Sequence, residues 1–131
     1  MVKNVIYFQN GENIIKAGQT ENRMYIILEG RVVVFLSTGK ETMQVATMGK
    51  GDFFGEISLF TEYPRSATVQ AIGDVKLVFI DNITELKSFF ALNPHFAAKM
   101  VQTLAQRLAK TNGILIGKMT ELNRFKQTNT I

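Results

Sequence analysis

Two short runs hold the residues that could do chemistry: Gly55-Glu56-Ile57-Ser58 and Pro64-Arg65-Ser66-Ala67. Gly55 opens a helix start, whose unpaired main-chain N–H groups and positive dipole end suit an anion. A glycine there lets the backbone come close. Arg65 offers a planar fork that matches phosphate oxygens. Ser66 adds a hydroxyl and Ala67 a main-chain amide. Glu56 is an acceptor for a hydroxyl donor. An acid beside a phosphate is costly unless a cation stands between them, so Glu56 and Arg65 make sense only as a pair. Together the parts suit a small, ring-closed phosphate with a ribose hydroxyl beside it. Taken singly, each has a plainer reading. Gly55-Glu56 is then a glycine turn with an acid in a helix first turn, and Pro64-Arg65 a turn with an exposed arginine.

A frame must hold those runs. From residue 5 to residue 81, β-branched and aromatic runs are punctuated by glycines. Strands are expected at Val5–Phe8, Asn13–Lys16, Met24–Leu28, Arg31–Leu36, Thr42–Met48, Ala67–Ala71 and Val75–Ile80. Turns recurring about every ten residues predict an antiparallel sandwich or barrel. Glu29-Gly30 and Ser37-Thr38-Gly39-Lys40 read as hairpin breaks. After Asp81 the pattern turns helical. Asn82 and Glu85 have the spacing of a capping box, and the helix should end near Leu92. Pro94 suits the first turn of the next helix.

In that second helix Val101, Leu108, Leu115 and Leu122 recur every seven residues. The companion line Leu104, Thr111, Lys118 and Phe125 is only half apolar. A two-helix dimer seam is therefore one reading, and packing on the chain's own β-domain is the other. Gly113 and Gly117 each weaken a helix by about 1 kcal/mol, so a break near 113 is an option. Gln127 to Ile131 are expected to fray.

Composition excludes several classes. The 131 residues fit one domain, 1–131, with the β-part at about 5–81 and the helices at about 82–126. With no cysteine, disulfides and thiolate chemistry are ruled out. The start of the chain lacks the form of a signal peptide, and no run approaches the roughly 18 apolar residues of a membrane span. A cytoplasmic location is expected. The single histidine, His95, lies beside Pro94 at a helix start. It cannot supply the histidine cluster of a metal-dependent β-barrel enzyme or a Ser-His-acid set. No enzyme activity and no metal are expected. The net charge of +4 gathers late, at Lys99, Arg107, Lys110, Lys118, Arg124 and Lys126. That fits the solvated face of a helix better than a nucleic-acid surface.

The run from Phe54 to Leu59, closed by Pro64 to Val69, resembles the phosphate-binding cassette of cyclic-nucleotide-binding domains. Upstream, Ile15-Lys16-Ala17-Gly18 and Met24 to Gly30 leading into Val32-Val33-Val34 agree with it, and the resemblance spans about residues 10 to 112. It implies a mainly β fold: an eight-stranded, antiparallel, double-stranded β-roll (jelly-roll-like) with flanking α-helices. It further implies a nucleotide held inside the roll and a C-terminal helix that moves on binding. By position, the resemblance assigns Glu56 to the ribose hydroxyl and Arg65 to the phosphate. It sets the amides of Gly55, Ile57, Ser58 and Ala67 nearby, and makes Val33, Val45 and Phe53 the apolar walls. Ser66 stands where alanine, serine and threonine alternate, which favours cAMP and leaves cGMP open.

Ala105 to Asn112 is similar to the dimer helix of bacterial catabolite activator proteins, where a hydroxyl pair reads the adenine amino group. Thr111 matches that pair, and Asn112 stands where a serine is usual. Arg107 falls where an arginine approaches the cassette acid, so the resemblance implies a pair with Glu56. There are departures. The short helix before the first strand looks absent or truncated, and Gln19 replaces an acid common after the turn glycine. Nothing helix-turn-helix-like follows the long helix. The expected protein is a stand-alone cAMP sensor acting on a partner protein or a second copy through its C-terminal helix. The alternative is a β-roll of the same fold that serves as a protein-interaction domain and binds no nucleotide.

Overall fold

The computed structural model describes residues 4–129, with side chains to residue 126. The elements are β1 (Val5–Phe8), β2 (Asn13–Ile15), β3 (Met24–Thr38), β4 (Glu41–Met48), β5 (Phe53–Phe54), α1 (Glu56–Thr61), β6 (Thr68–Ile80), α2 (Ile83–Leu92) and α3 (Pro94–Asn129). The chain forms two compact units, Met1–Phe89 and Phe90–Ile131.

In the first unit, one antiparallel sheet runs in the order β1-β6-β3-β4, with β2 also on β6 and β5 on β3. The core gathers Ile14, Ile15, Tyr25, Ile27, Val32, Phe54, Val69, Ala71, Val75 and Leu77. On β6 those residues are all two apart or a multiple of two, the period of a strand with one face inward. The phase holds through Gly73, which has φ +69°. On β3 the inward set passes from Tyr25 and Ile27 to Val32, a change of phase. Two register shifts against β6, between Ile27 and Glu29 and between Glu29 and Arg31, account for it, because one extra residue moves every later side chain to the other face.

The break expected at Glu29-Gly30 is therefore corrected. Gly30 lies inside a continuous strand, since β6 pairs with β3 on both sides of it. Its φ is +92°, and a Cβ there would collide with the main-chain oxygen of Asp74. The separate strands expected at Ala67–Ala71 and Val75–Ile80 are likewise one, β6. Counting the two arms of β3 and of β6 separately recovers the eight strands of a β-roll. The hairpin at Gly39 forms as expected, between β3 and β4.

Asn82 caps α2: its Oδ1 accepts the Glu85 N–H at 2.9 Å. The Glu85 carboxylate reaches back to the Asp81 N–H, also at 2.9 Å, one residue earlier than a standard capping box. In the second unit, α3 begins at Pro94 and runs 36 residues without a break through Gly113 and Gly117. The heptad line is exposed along its length, from Val101 at 68% to Leu122 at 53%. The fraying expected for Gln127 to Ile131 lies outside the residues described with side chains. No helix of the described residues is long and apolar enough to cross a membrane.

Candidate functional site

The site starts from a glycine that must be a glycine. Gly55 caps α1 with φ +86° and no side-chain cap. A Cβ there would lie 2.8 Å from the Arg23 main-chain oxygen and 3.0 Å from Arg65 Nη1. That crowding marks the close approach of three segments: the end of β5, the residue before β3 and the cassette arginine.

Arg65 is buried, at 6% exposure. Its Nη1 donates to the Gly55 main-chain oxygen at 2.8 Å, and its Nη2 donates to the main-chain oxygen of Arg23. Its Nε has no hydrogen-bond partner among the described residues. Its own main chain is held on the turn ahead of β3: Arg65 N donates to Gln19 O at 2.7 Å, and Gly18 N donates to Arg65 O at 2.8 Å. Burial pulls the guanidinium down from its ordinary value, while the charges of Glu21, Tyr25 and Glu56 oppose that pull. It remains a cation at neutral pH. An N–H buried without a partner costs about 1–3 kcal/mol, and more on a charged group.

Glu56 is the first residue of α1 and is buried at 7% exposure, with its charge favourable to Arg65. Ser58, also buried, donates its hydroxyl to the Tyr63 oxygen at 2.9 Å, so that hydroxyl closes the loop after α1. Ile57 and Ser66 are exposed and Ala67 is half-buried. The structure thus brings Gly55, Glu56 and Arg65 together at one point. Of the expected apolar walls, Val33 and Phe53 are buried, and Phe53 pairs with Ile26 of β3. Val45 is 40% exposed and stands at a bulge, between Gln44 and Ala46 in the β3–β4 ladder. On α3, Thr111 donates its hydroxyl to the Arg107 oxygen at 3.0 Å. Arg107, Thr111 and Asn112 belong to the second unit.

Reasoning from the sequence missed several residues around Arg65. Tyr25 stacks on Phe54 with ring centroids 5.3 Å apart and donates to Glu21 at 2.8 Å. Burial first, then that hydrogen bond, push the Tyr25 hydroxyl up to about 12. Arg23 pairs with Asp81 at 2.6 Å. No spacing rule announces these contacts. They follow from the β3–β6 register, in which Met24 faces Ile80 and so sets residue 23 beside residue 81. Gln19, which stands where an acid was expected, accepts the Lys16 N–H through Oε1 at 3.0 Å. A groove of about 530 Å³ lies elsewhere, among Tyr7, Gln9, Glu12, Glu29, Asp74 and Lys76, and holds none of the cassette residues. Among the described residues, no group of three or more His, Asp or Glu side chains converges to hold a metal ion.

Known proteins resemble this chain in sequence and fold. The chain is 44% identical over 75 residues to the cAMP-dependent protein kinase type II regulatory subunit of Drosophila melanogaster, covering 56% of this chain and 20% of that protein. It is 33% identical over 110 residues to the CRP-like cAMP-activated global transcriptional regulator of Mycobacterium tuberculosis, covering 82% of this chain and 48% of that one. The crystal structure of the Thermus thermophilus catabolite activator protein superposes with a TM-score of 0.74 at 27% identity, covering 85% of this chain and 52% of the other. The chain thus spans about a fifth to a half of the length of these relatives. The family model described as the cyclic nucleotide-binding domain matches residues 5–91, which takes in the whole sheet, the buried Glu56 and Arg65 and all but the last residue of α2, and the chain belongs to that family.

Proposed function

We propose that the protein is a cytoplasmic cAMP sensor. The phosphate lies at Arg65 and the amides of Gly55, Ile57, Ser58 and Ala67, with Ser66 beside them. The ribose 2′-hydroxyl donates to Glu56, and Val33, Val45 and Phe53 line the pocket. One observation carries this reading: a guanidinium buried at 6% exposure, with an unpartnered Nε, on which the charge of the buried Glu56 acts. A phosphate oxygen relieves the cost of the unmatched N–H. The cation in turn offsets the repulsion between the acid and the anion. Relatives described as cAMP-dependent and cAMP-activated favour cAMP over cGMP.

Binding shifts the chain between two arrangements only by as much as the nucleotide prefers one of them. In the proposed switch that preference reaches α3, where Arg107 approaches Glu56 and Thr111 and Asn112 meet the base. The exposed heptad line of α3 supports an output through a second copy or a partner protein.

Calorimetric titration of cAMP, with cGMP for comparison, into protein refolded free of nucleotide tests this reading. One cAMP per chain is expected. Arg65→Ala should lower affinity about a hundredfold and Glu56→Gln about tenfold, as expected for losing charge-assisted hydrogen bonds, with the far-UV spectrum unchanged. A second reading has its own observation: each Nη group of Arg65 donates to a main-chain oxygen, as in a purely structural staple. No heat with either nucleotide would establish that reading and make the domain a protein-interaction module.

A further inference from the structure

The turn that grips Arg65 is itself tethered to the start of α2, and the tether is Arg23. Residues 16–23 separate β2 from β3 without regular structure. At one end of this stretch Gly18 and Gln19 hold the Arg65 main chain. At the other end the Arg23 main-chain oxygen receives Arg65 Nη2. The Arg23 side chain points to a different partner. Its Nε donates to Asp81 Oδ1 at 2.6 Å, and its guanidinium lies 3.8 Å from the centroid of the Phe79 ring. Asp81 stands one residue before the α2 cap, and its N–H is held at 2.9 Å by Glu85 of the first turn. The same Glu85 oxygen also accepts from Asn4 Nδ2 at 3.3 Å.

We infer that Arg23 is a positioning residue: its main chain aims the Arg65 guanidinium while its side chain fixes that aim to Asp81 and the first turn of α2. The direction of a main-chain oxygen is set by the dihedral angles of its own residue and the next. In an irregular stretch those angles are fixed by whatever anchors the side chains. On one side Arg23 is followed by the buried Met24, paired with Ile80; its own side chain is anchored by the Asp81 pair, the Phe79 ring, and Glu21, which lies 3.6 Å from Arg23 Nε and receives the Tyr25 hydroxyl. The Arg23 and Asp81 side chains are partly exposed, so the pair itself adds little to stability. Its worth lies in placement, because a binding group held loosely loses affinity to the cost of ordering it. Occupation of Arg65 by an anion is then felt at Asp81 through one residue, with no contact between Arg65 and α2 required.

The test uses the full chain and has one arm that needs no ligand. The side-chain Nε–Hε signal of Arg65, assigned by its loss in Arg65→Lys, is followed by ¹⁵N NMR in Arg23→Ala, Arg23→Lys and Asp81→Asn. The expected result is a shifted or exchange-broadened Arg65 signal in Arg23→Ala and Asp81→Asn, with partial recovery in Arg23→Lys and a melting temperature near that of the parent. The second arm rests on the cyclic nucleotide reading: cAMP affinity should fall roughly five- to tenfold in Arg23→Ala, through lost pre-organisation, and recover in part in Arg23→Lys. An Arg65 signal unmoved in both Arg23→Ala and Asp81→Asn would overturn the positioning role. If the parent binds no cAMP while the Arg65 signal still responds, the ligand reading fails and the positioning role stands.

Discussion

The cassette around Arg65 and the long helix α3 use the same residue types in opposite ways. In the cassette, polar groups are inside: Glu56, Ser58 and Arg65 are all buried. In α3, apolar groups are outside, with Val101, Leu108, Leu115 and Leu122 all more than half exposed. Glycine differs too. Gly55 has φ +86° and three crowding neighbours, whereas Gly113 and Gly117 have open space where a Cβ would go. The first region is completed by its own fold, which forces its residues one by one. The second leaves its apolar line without cover along an otherwise regular helix. Function written into the cassette is therefore expected to fail by single substitutions, and function in α3 only by changes to its surface.

The largest effect that would sharpen this contrast is Gly55→Ala. A left-handed residue with a Cβ costs about 1–2 kcal/mol from the backbone alone, and contacts with the Arg23 oxygen and Arg65 Nη1 add to it. Urea denaturation should show a loss of at least that size. Because the new methyl displaces Arg65, cAMP binding should fall about as far as in Arg65→Ala. A variant as stable as the parent would break the claim that the cassette glycine is forced.

Next comes a pH effect confined to the first unit. The Tyr25 hydroxyl is pushed up to about 12, from an ordinary value of 10, by burial and by its hydrogen bond to Glu21. A group that holds its proton more tightly when folded gives stability that is fully present below its unfolded value. That contribution is lost as the pH rises through the folded value. Denaturation midpoints should therefore be unaffected by Tyr25 up to about pH 10 and fall between about 10 and 12. Tyr25→Phe should flatten that fall; an unchanged profile would mean that another group drives it.

The smallest effect has the opposite sign. Gly113→Ala and Gly117→Ala should each stabilise α3 by up to about 1 kcal/mol, read as greater helix content and slower amide exchange across residues 110–120. Since nothing crowds either position, a loss of stability would show that this stretch is covered in solution by another surface.

Much of the site was legible because its signals are local. A glycine, an acid and an arginine at fixed offsets describe one turn and one short helix, and in the structure Arg65 donates to the main-chain oxygen of Gly55, with the Glu56 charge acting on it. Asn82 as a cap and Pro94 as a helix start were equally readable, since the first depends on a partner three residues on and the second on proline's own fixed φ and missing N–H. The Glu29-Gly30 break misled for the same reason. A positive φ at glycine marks a turn or a bulge alike, and only the pairing with β6 on both sides of Gly30 selects the bulge.

The sequence by itself determined most of the strands, the switch to helices after Asp81 and the placing of the caps, because each rests on periodicity or on contacts a few residues apart, whereas the short strand β5 left no such signal. Only the tertiary structure decided that β3 and β6 are unbroken, that Val45 stands at a bulge, and that Arg65 is buried with its Nε unmatched. The same holds for the link from Arg65 through Arg23 to Asp81, 58 residues along the chain from Arg23. Such features depend on which strand lies alongside which and in what register, and that choice is made by burying the whole core at once.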